Sequence, residues 1–477
     1  MLVSPTRKNK IVLSDYNYQK DLENRLLMAR FTAFDVKFLE EILNSSIKIP
    51  IQSLANDLDS SIEKVLSSIE IFSKVGLLKL KEDLIIVNKE MRKYYEFLIM
   101  KFDNEFKPNV DFLQNLLKKV PIHILPTWYS IPRSSDNIFR SIIEKYLATP
   151  KLFERYLLDL NIEDEILNAI AKDVHNAPDF KLRSKDLREK YDLSREKFEM
   201  YMLHMEFNFL GFLSYTRIGE EWKEVVSPLY EWCEYKKFVK NTIPSPIEEA
   251  SQDLIPLRKT NFAVIKDLKL ILKLIKNESI SLKSDNKFPS EIIEILMSSC
   301  ECMPHFSKES LPYHQDYFLQ IIEKACEIHL AKIENESLLP TQDTDNWIEM
   351  DIENNAMYLL RHPNNCNLGQ SFPESLQSDR NIRSVEKSLK RISHNNWIIL
   401  DNFIEGMIHP IGSTPGVFLD KKGRNWKYIT PNYSPKERLF IKSVIFNRFF
   451  QAGITEIGTY KEKEAFRITE FGKKTIN

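Results

Sequence analysis

Residues 182–226, LRSKDLREKYDLSREKFEMYMLHMEFNFLGFLSYTRIGEEWKEVV, read as helix, turn, helix, glycine, hairpin. Arg183 to Tyr191 is a short helix opened by Ser184, whose hydroxyl oxygen suits the unpaired N–H groups of a first turn. Asp192, Leu193 and Ser194 make the turn after it. From Arg195 to Leu210, Phe198, Met202, Met205 and Phe209 recur at the three-to-four-residue spacing of a buried helical stripe. Gly211 follows, at a point where the chain leaving a helix often takes a left-handed backbone that a side chain disfavours. Residues 212–226 then read as strand, hairpin, strand.

Two other stretches close in the same way. In 51–87, IQSLANDLDSSIEKVLSSIEIFSKVGLLKLKEDLIIV, Phe72, Val75, Gly76, Leu77 and Leu78 take the roles of Phe207, Leu210, Gly211, Phe212 and Leu213. In 437–469, ERLFIKSVIFNRFFQAGITEIGTYKEKEAFRIT, Phe449, Ala452, Gly453 and Ile454 do so, and the hairpin turns at 461–464. Three such endings mark an internal repeat. The fold they predict is mainly α with short β-hairpins, arranged as tandem winged-helix modules.

At 477 residues the chain has length for three or four domains. No apolar run approaches the roughly 18 residues that cross a bilayer, and 1–13 lacks the sustained apolar stretch of a signal peptide. With five irregularly spaced cysteines, this fits a cytoplasmic protein whose thiols stay reduced. The formal net charge of −1 means that any contact with nucleic acid must come from local patches.

Taken in order, 1–120 is a first module with an N-terminal arm, and prolines at Pro121, Pro126 and Pro132 mark a connection to a second module over 121–243. Pro244, Pro246 and Pro256 make 241–261 the clearest linker, opening a linker and helical domain over 244–378. Within it, 334–356 is an acidic segment without lysine or arginine, read as a solvated loop. A basic C-terminal module over 379–477 completes the chain.

A winged helix commonly lays its last helix in the major groove and touches phosphates with its hairpin, so lysine and arginine are needed there. The candidate helix of the first module balances Lys64 and Lys74 against Glu63 and Glu70; the second sets Arg195 and Lys197 against Glu196, Glu199 and Glu206. Neither is a strong DNA reader. The C-terminal module differs: Arg380, Arg383, Lys387, Lys390 and Arg391 share a helix, followed by Lys421, Lys422, Arg424, Lys427, Lys442 and Arg448. Trp426, Tyr428 and Tyr433 are interleaved and suit stacking on bases or sugars, and 421–428, KKGRNWKY, reads as an exposed basic loop.

Catalytic signatures are missing. The single Gly-Lys pair, Gly472 and Lys473, has Arg467 where a phosphate-binding loop needs glycine, and no HExxH or GxSxG occurs. Cys300, Cys302, His305, Cys326 and His329 are of zinc-ligand type, but their spacing is that of no established zinc motif, and buried thiols are common. Asp343, Asp345, Glu349 and Asp351 lack the glycine of a calcium loop. No cofactor, metal or catalytic residue is expected, and the chain is read as a non-enzyme.

Two stretches of the second half, 262–299 (FAVIKDLKLILKLIKNESISLKSDNKFPSEIIEILMSS) and 449–474 (FFQAGITEIGTYKEKEAFRITEFGKK), resemble the non-catalytic winged-helix region found beside XPB-type helicases. The family's L-T-x-x-G close corresponds to Ile468, Thr469, Glu470, Phe471 and Gly472. The resemblance covers about 262–477 and implies a DNA-associated helper of a transcription, replication or repair machine; the helicase motor itself is absent. The expected function is accessory DNA binding through the basic C-terminal module, with protein partners on the first two modules and no membrane contact. The alternative is a protein-interaction scaffold whose basic face docks on an acidic partner or on 334–356.

Overall fold

The computed structural model describes residues 19–119, 138–160, 164–219, 221–248, 251–257, 260–278, 280–283, 288–300, 311–362, 371–392, 396–423 and 425–476. They are mainly helical, with small antiparallel sheets. Two compact units form: one holds the described residues up to Lys237 together with Phe418–Tyr428, the other Phe238–Val417 and the residues from Ile429 onward.

In the first unit, α1 (Gln19–Met28) precedes α2 (Ala33–Asn44), β1 (Lys48–Pro50), α3 (Ile51–Asp57), α4 (Ile62–Lys74), β2 (Leu78–Lys81) and β3 (Leu84–Val87). Helices α5 (Lys89–Leu98), α6 (Val110–Lys119), α7 (Ile138–Ile142) and α8 (Pro150–Asp159) follow. The order then recurs as α9 (Glu165–Asn176), β4 (Leu182–Arg183), α10 (Ser184–Lys190), α11 (Arg195–Phe207), β5 (Phe212–Ile218) and β6 (Glu221–Ser227), before α12 (Tyr230–Asn241), whose residues from Phe238 onward belong to the second unit.

The second unit contains β7 (Leu254–Pro256), then α13 (Ala263–Asn277), β8 (Ile280–Ser281), α14 (Ser290–Ser299), α15 (Leu311–Glu327), β9 (Ala331–Glu334) and β10 (Ser337–Pro340). After α16 (Thr344–Glu349) and α17 (Ile352–Arg361) come α18 (Asp379–Leu389), β11 (Ile398–Ile399) and α19 (Leu400–Glu405). A ribbon of β12 (Phe418–Lys422) and β13 (Asn425–Ile429) interrupts this last set, which resumes with α20 (Pro435–Ser443), β14 (Thr455–Tyr460), β15 (Lys463–Ile468) and α21 (Glu470–Ile476).

Among the described residues, helix, strand, helix, helix, strand, strand thus occurs four times. In each repeat the last strand lies in the middle: β1-β3-β2, β4-β6-β5, β8-β10-β9 and β11-β15-β14, with β7 added at the edge of the fourth. The third repeat falls in the stretch divided from the sequence as a linker and helical domain, part of which carries the resemblance over 262–299. The 241–261 linker likewise supplies β7, which pairs with β14 through Leu254, Ile255 and Pro256. The acidic segment is not a loop, although Asp343, Asp345, Glu349 and Asp351 are exposed as expected: it holds the end of β9, β10, α16 and the start of α17, which Asp351 caps by accepting from the Asn354 N–H at 2.9 Å.

A shared helix ending explains the repetition. The residue two past each third helix has positive φ: Gly76 (+78°), Phe209 (+56°), His329 (+58°) and Gly453 (+68°, after the helical turns that extend α20). The next N–H reaches back five residues: Leu77 to the Phe72 carbonyl (3.0 Å), Leu210 to Met205 (2.9 Å), Leu330 to Ala325 (2.8 Å), Ile454 to Phe449 (2.9 Å). This is a Schellman close, in which the left-handed residue lets a downstream N–H satisfy an otherwise open carbonyl. Leu77, Leu210, Leu330 and Ile454 are all buried, so each close also pins a core side chain.

Gly211 is therefore not the left-handed residue of the second repeat. Phe209 holds that place, and its fully buried ring offsets the strain. Gly211 answers a different need: a Cβ there would lie 2.6 Å from Met205 Cε. Ser184 does not cap α10 either; it is the first helical residue and its hydroxyl donates to Glu224 at 2.5 Å. Ser194 caps α11, accepting from the Lys197 N–H at 3.2 Å.

His329 carries a left-handed backbone with a side chain that costs roughly 1–2 kcal/mol there. His329→Gly is expected to raise the stability of the second unit by about 0.5–1 kcal/mol, after the extra unfolded-chain entropy of glycine is subtracted. Urea unfolding checks this; a loss of stability would mean that the His329 ring, 6.1 Å from that of His362, contributes more than the backbone strain takes away.

Candidate nucleic-acid interface

Helix α18 presents two distinct faces. Asn381, Ser384, Val385, Ser388 and Leu389 are buried, and the Asn381 amide donates to the Ser375 and Leu376 carbonyls at 3.0 Å each, fixing the helix start. Arg380, Arg383, Lys387 and Lys390 lie exposed at positions i, i+3, i+7 and i+10. None of the four has an ion-pair partner among the described residues. The acidic segment is engaged elsewhere in this unit: Asp345 pairs with Lys276 at 2.7 Å and Glu353 lies 4.0 Å from Lys474.

Arg391, expected with this cluster, turns inward. Its guanidinium donates to the Gly406 carbonyl, to the Val239 carbonyl at 3.0 Å and to Thr242 Oγ1 at 3.4 Å. It satisfies chain ends that would otherwise carry open carbonyls, and it belongs to the framework.

The ribbon β12–β13 departs from the fourth repeat and belongs to the first unit. The Leu419 N–H donates to the Ala148 carbonyl at 2.7 Å, and the Tyr428 hydroxyl to the Leu147 carbonyl at 3.1 Å. Lys421, Lys422 and Lys427 are exposed, with Lys421 Nζ 3.9 Å from Asp111; Arg424 lies outside the described residues. The C-terminal cations thus fall into two separate sets.

The expected stacking residues are structural. Tyr428 is packed against Tyr235, ring centroids 5.6 Å apart, and burial pushes its hydroxyl well above the usual tyrosine range. Tyr433 is buried and donates to the His409 carbonyl at 2.6 Å. Trp426 is half-buried, edge-on to Phe139 at 6.3 Å.

On the third helix of the fourth repeat Lys436 is exposed, and the other cations are already engaged. Lys442 pairs with Glu464, Arg448 donates to the Leu360 carbonyl at 3.2 Å, and Arg438 pairs with Asp401 at 2.9 Å. In the second repeat α11 is enclosed: Phe198, Glu199, Tyr201, Met202, Leu203, Met205, Glu206 and Phe207 are all buried. Glu206 receives Arg25 and Lys101, each at 2.6 Å, and the Leu213 N–H at 3.3 Å. Burial alone would raise its carboxyl, but Arg25 and Lys101 hold it down at about 2. What α11 leaves outward is Glu196 and Lys197, exposed, with Met200 and His204 half-buried, a strip with no net positive charge.

One basic surface went unread in the sequence. On the outer face of the first sheet, Lys48 lies opposite Ile86, which lies opposite Lys79, and Lys81 lies opposite Leu84. All three lysines are exposed. Strand alternation places Lys79 and Lys81 on one face of Leu78–Lys81, and that period is the signal that would have found them.

Among the described residues, no three His, Cys, Asp or Glu side chains come together as a metal site. Cys302 and His305 lie outside the described residues, and Cys300 and Cys326 are half-buried. No described helix is long and apolar enough to cross a membrane. Comparison of the chain with protein-family models, curated proteins and solved structures returns no match.

Proposed function

We propose that this chain is a non-catalytic protein of tandem winged-helix modules that binds nucleic acid through the phosphates, with α18 as the principal contact, as an accessory factor in transcription, replication or repair. The winged-helix reading is supported by the fourfold recurrence of helix, strand, helix, helix, strand, strand with the last strand central. The nucleic-acid reading rests on one observation: four exposed cations along one face of α18, none of them ion-paired among the described residues although Asp379 and Glu386 share the helix. From Arg380 to Lys390 the helix advances about 15 Å, and that length of duplex carries about nine phosphates.

Phosphate contacts position a protein without reading bases. With most of α11 enclosed and Arg438 and Lys442 of α20 paired, sequence-tolerant binding is the expected property. Fluorescence anisotropy with a duplex DNA tests it. Four phosphate contacts give a slope of about −3.6 in log K against log salt, so affinity falls roughly 100-fold between 50 and 200 mM salt. Arg383→Glu with Lys387→Glu should cut binding strongly at 50 mM while leaving the fold unchanged. Affinity indifferent to salt, or to these two charge reversals, rules the reading out.

A second reading, a protein-interaction scaffold without nucleic-acid binding, draws on α4. Ile62 and Leu66, 42% and 39% exposed, sit one turn apart on the outer face of the helix that a DNA reader would fill with cations. A chain that binds no DNA at 50 mM salt would favour this alternative.

A further inference from the structure

We propose that the second unit binds a small organic acid with an apolar body, in a cleft of about 450 Å³ between its third and fourth repeats. The volume is in the range of about 300–1,000 Å³ typical of small-molecule sites, and interiors ordinarily leave few voids larger than a water. Its floor is Val264, Ile265 and Leu268 of α13; Phe446 and Phe450 line it from the fourth repeat. Such walls favour a hydrocarbon or aromatic occupant over water.

The polar groups on the wall set the rest of the ligand. Lys324 and Lys442 both line the cleft, and no described lining residue is a carboxylate. Lys324 is 2% exposed, and its ammonium meets Glu327 at 3.0 Å; Glu464 pairs with Lys442. Those carboxylates stand outside the lining, so the two ammonium groups are the only charged groups among the described lining residues, and they are what the acid group of a ligand would meet. Gln451, 8% exposed, also lines the cleft, and its Oε1 accepts no hydrogen bond. A donor on the ligand would satisfy it.

Backbone geometry marks the same wall. The helix continuing α20 widens to a π-helix over Val444–Phe449, and Phe446 and Asn447 within it line the cleft. The Thr455 hydroxyl donates to the Ile445 carbonyl at 2.8 Å, supporting the widened turn. Segments of this kind are rare and recur at functional sites.

Isothermal titration of the full chain with sodium decanoate, and with 1-decanol as the neutral comparison, decides the matter. One decanoate per chain is expected, at least tenfold tighter than the alcohol. Leu268→Trp and Gln320→Trp fill the space and should each abolish binding; the second changes a half-buried position and keeps the test alive if the first fails to fold. Lys324→Met with Lys442→Met should bring acid and alcohol to equal affinity. No saturable decanoate binding, equal affinity for the two probes in the unaltered chain, or binding that survives both tryptophans overturns the proposal.

Discussion

Glu206→Gln is expected to destabilise the first unit by about 3–5 kcal/mol, because it strands two buried cations. Glu206 has no exposed side-chain surface, and Arg25 and Lys101 are 5% and 3% exposed. Burial depresses the Lys101 ammonium, Glu206 sustains it, and the network depends on the carboxylate remaining charged. The sign with pH follows from the low value at Glu206. A carboxyl held at about 2, against 4.5 when free, contributes stability that is present above 4.5 and lost as pH falls through 2.

The amide keeps the shape and one acceptor but neutralises the charge. Urea unfolding followed by hydrogen exchange in α1 and α11 measures the loss, and a change below 1 kcal/mol would refute the account. Replacing Arg25, Lys101 and Glu206 together by methionine is expected to recover most of the stability, since a buried ion cluster and an apolar one of similar volume differ little when neither leaves a charge alone. The network therefore fixes how α1, the Ile99–Phe102 turn and α11 fit together, a role to which Phe102 stacked on Tyr215 at 3.9 Å also contributes.

What the sequence revealed and what it hid follow from the range of the interactions. The buried stripe Phe198, Met202, Met205 and Phe209 was legible because helical spacing is local, and all four side chains are fully enclosed. The α18 face was legible for the same reason. Helix endings were half legible: glycine marks Gly76 and Gly453, but Phe209 and His329 adopt the same backbone under compensation from packing, which no local pattern records. That substitution concealed the third repeat.

Charge partners one helical turn apart were legible, as in Lys74 with Glu70 and Arg195 with Glu199, but distant ones were not. Lys442 finds Glu464, Arg448 finds the Leu360 carbonyl and Arg391 finds Val239, each across a chain separation that only the fold closes. A run of cations in sequence consequently overstated the free positive surface. The alternating lysines of β2 understated it, because their partner Lys48 arrives from β1.

Glu231 supplies the other large effect, with the opposite sign in pH. It stands in the first turn of α12, 3% exposed; Oε1 accepts from the Val110 N–H at 3.0 Å, while Oε2 has no partner. Burial pushes its carboxyl from 4.5 up to about 7, with the Val110 N–H pulling back and Asp111 adding to the rise. A group whose folded value is raised is favoured protonated in the fold, so its stability is fully present below 4.5 and lost as pH rises through 7. A shift of roughly 2.5 pH units corresponds to about 3 kcal/mol over that window.

Glu231→Gln keeps an acceptor for Val110 and cannot ionise. At pH 8 the variant should be more stable than the parent by about 1–3 kcal/mol, the lower bound allowing for an amide N–H group left short of partners. At pH 4.5 the two should agree within about 1 kcal/mol, or the parent should lead. Unfolding measured at several pH values between 4.5 and 8 gives the difference directly. A gap that stays constant across that range would show that Glu231 is already paired or hydrated when charged, and that the hold of α12 on the start of α6 does not depend on its proton.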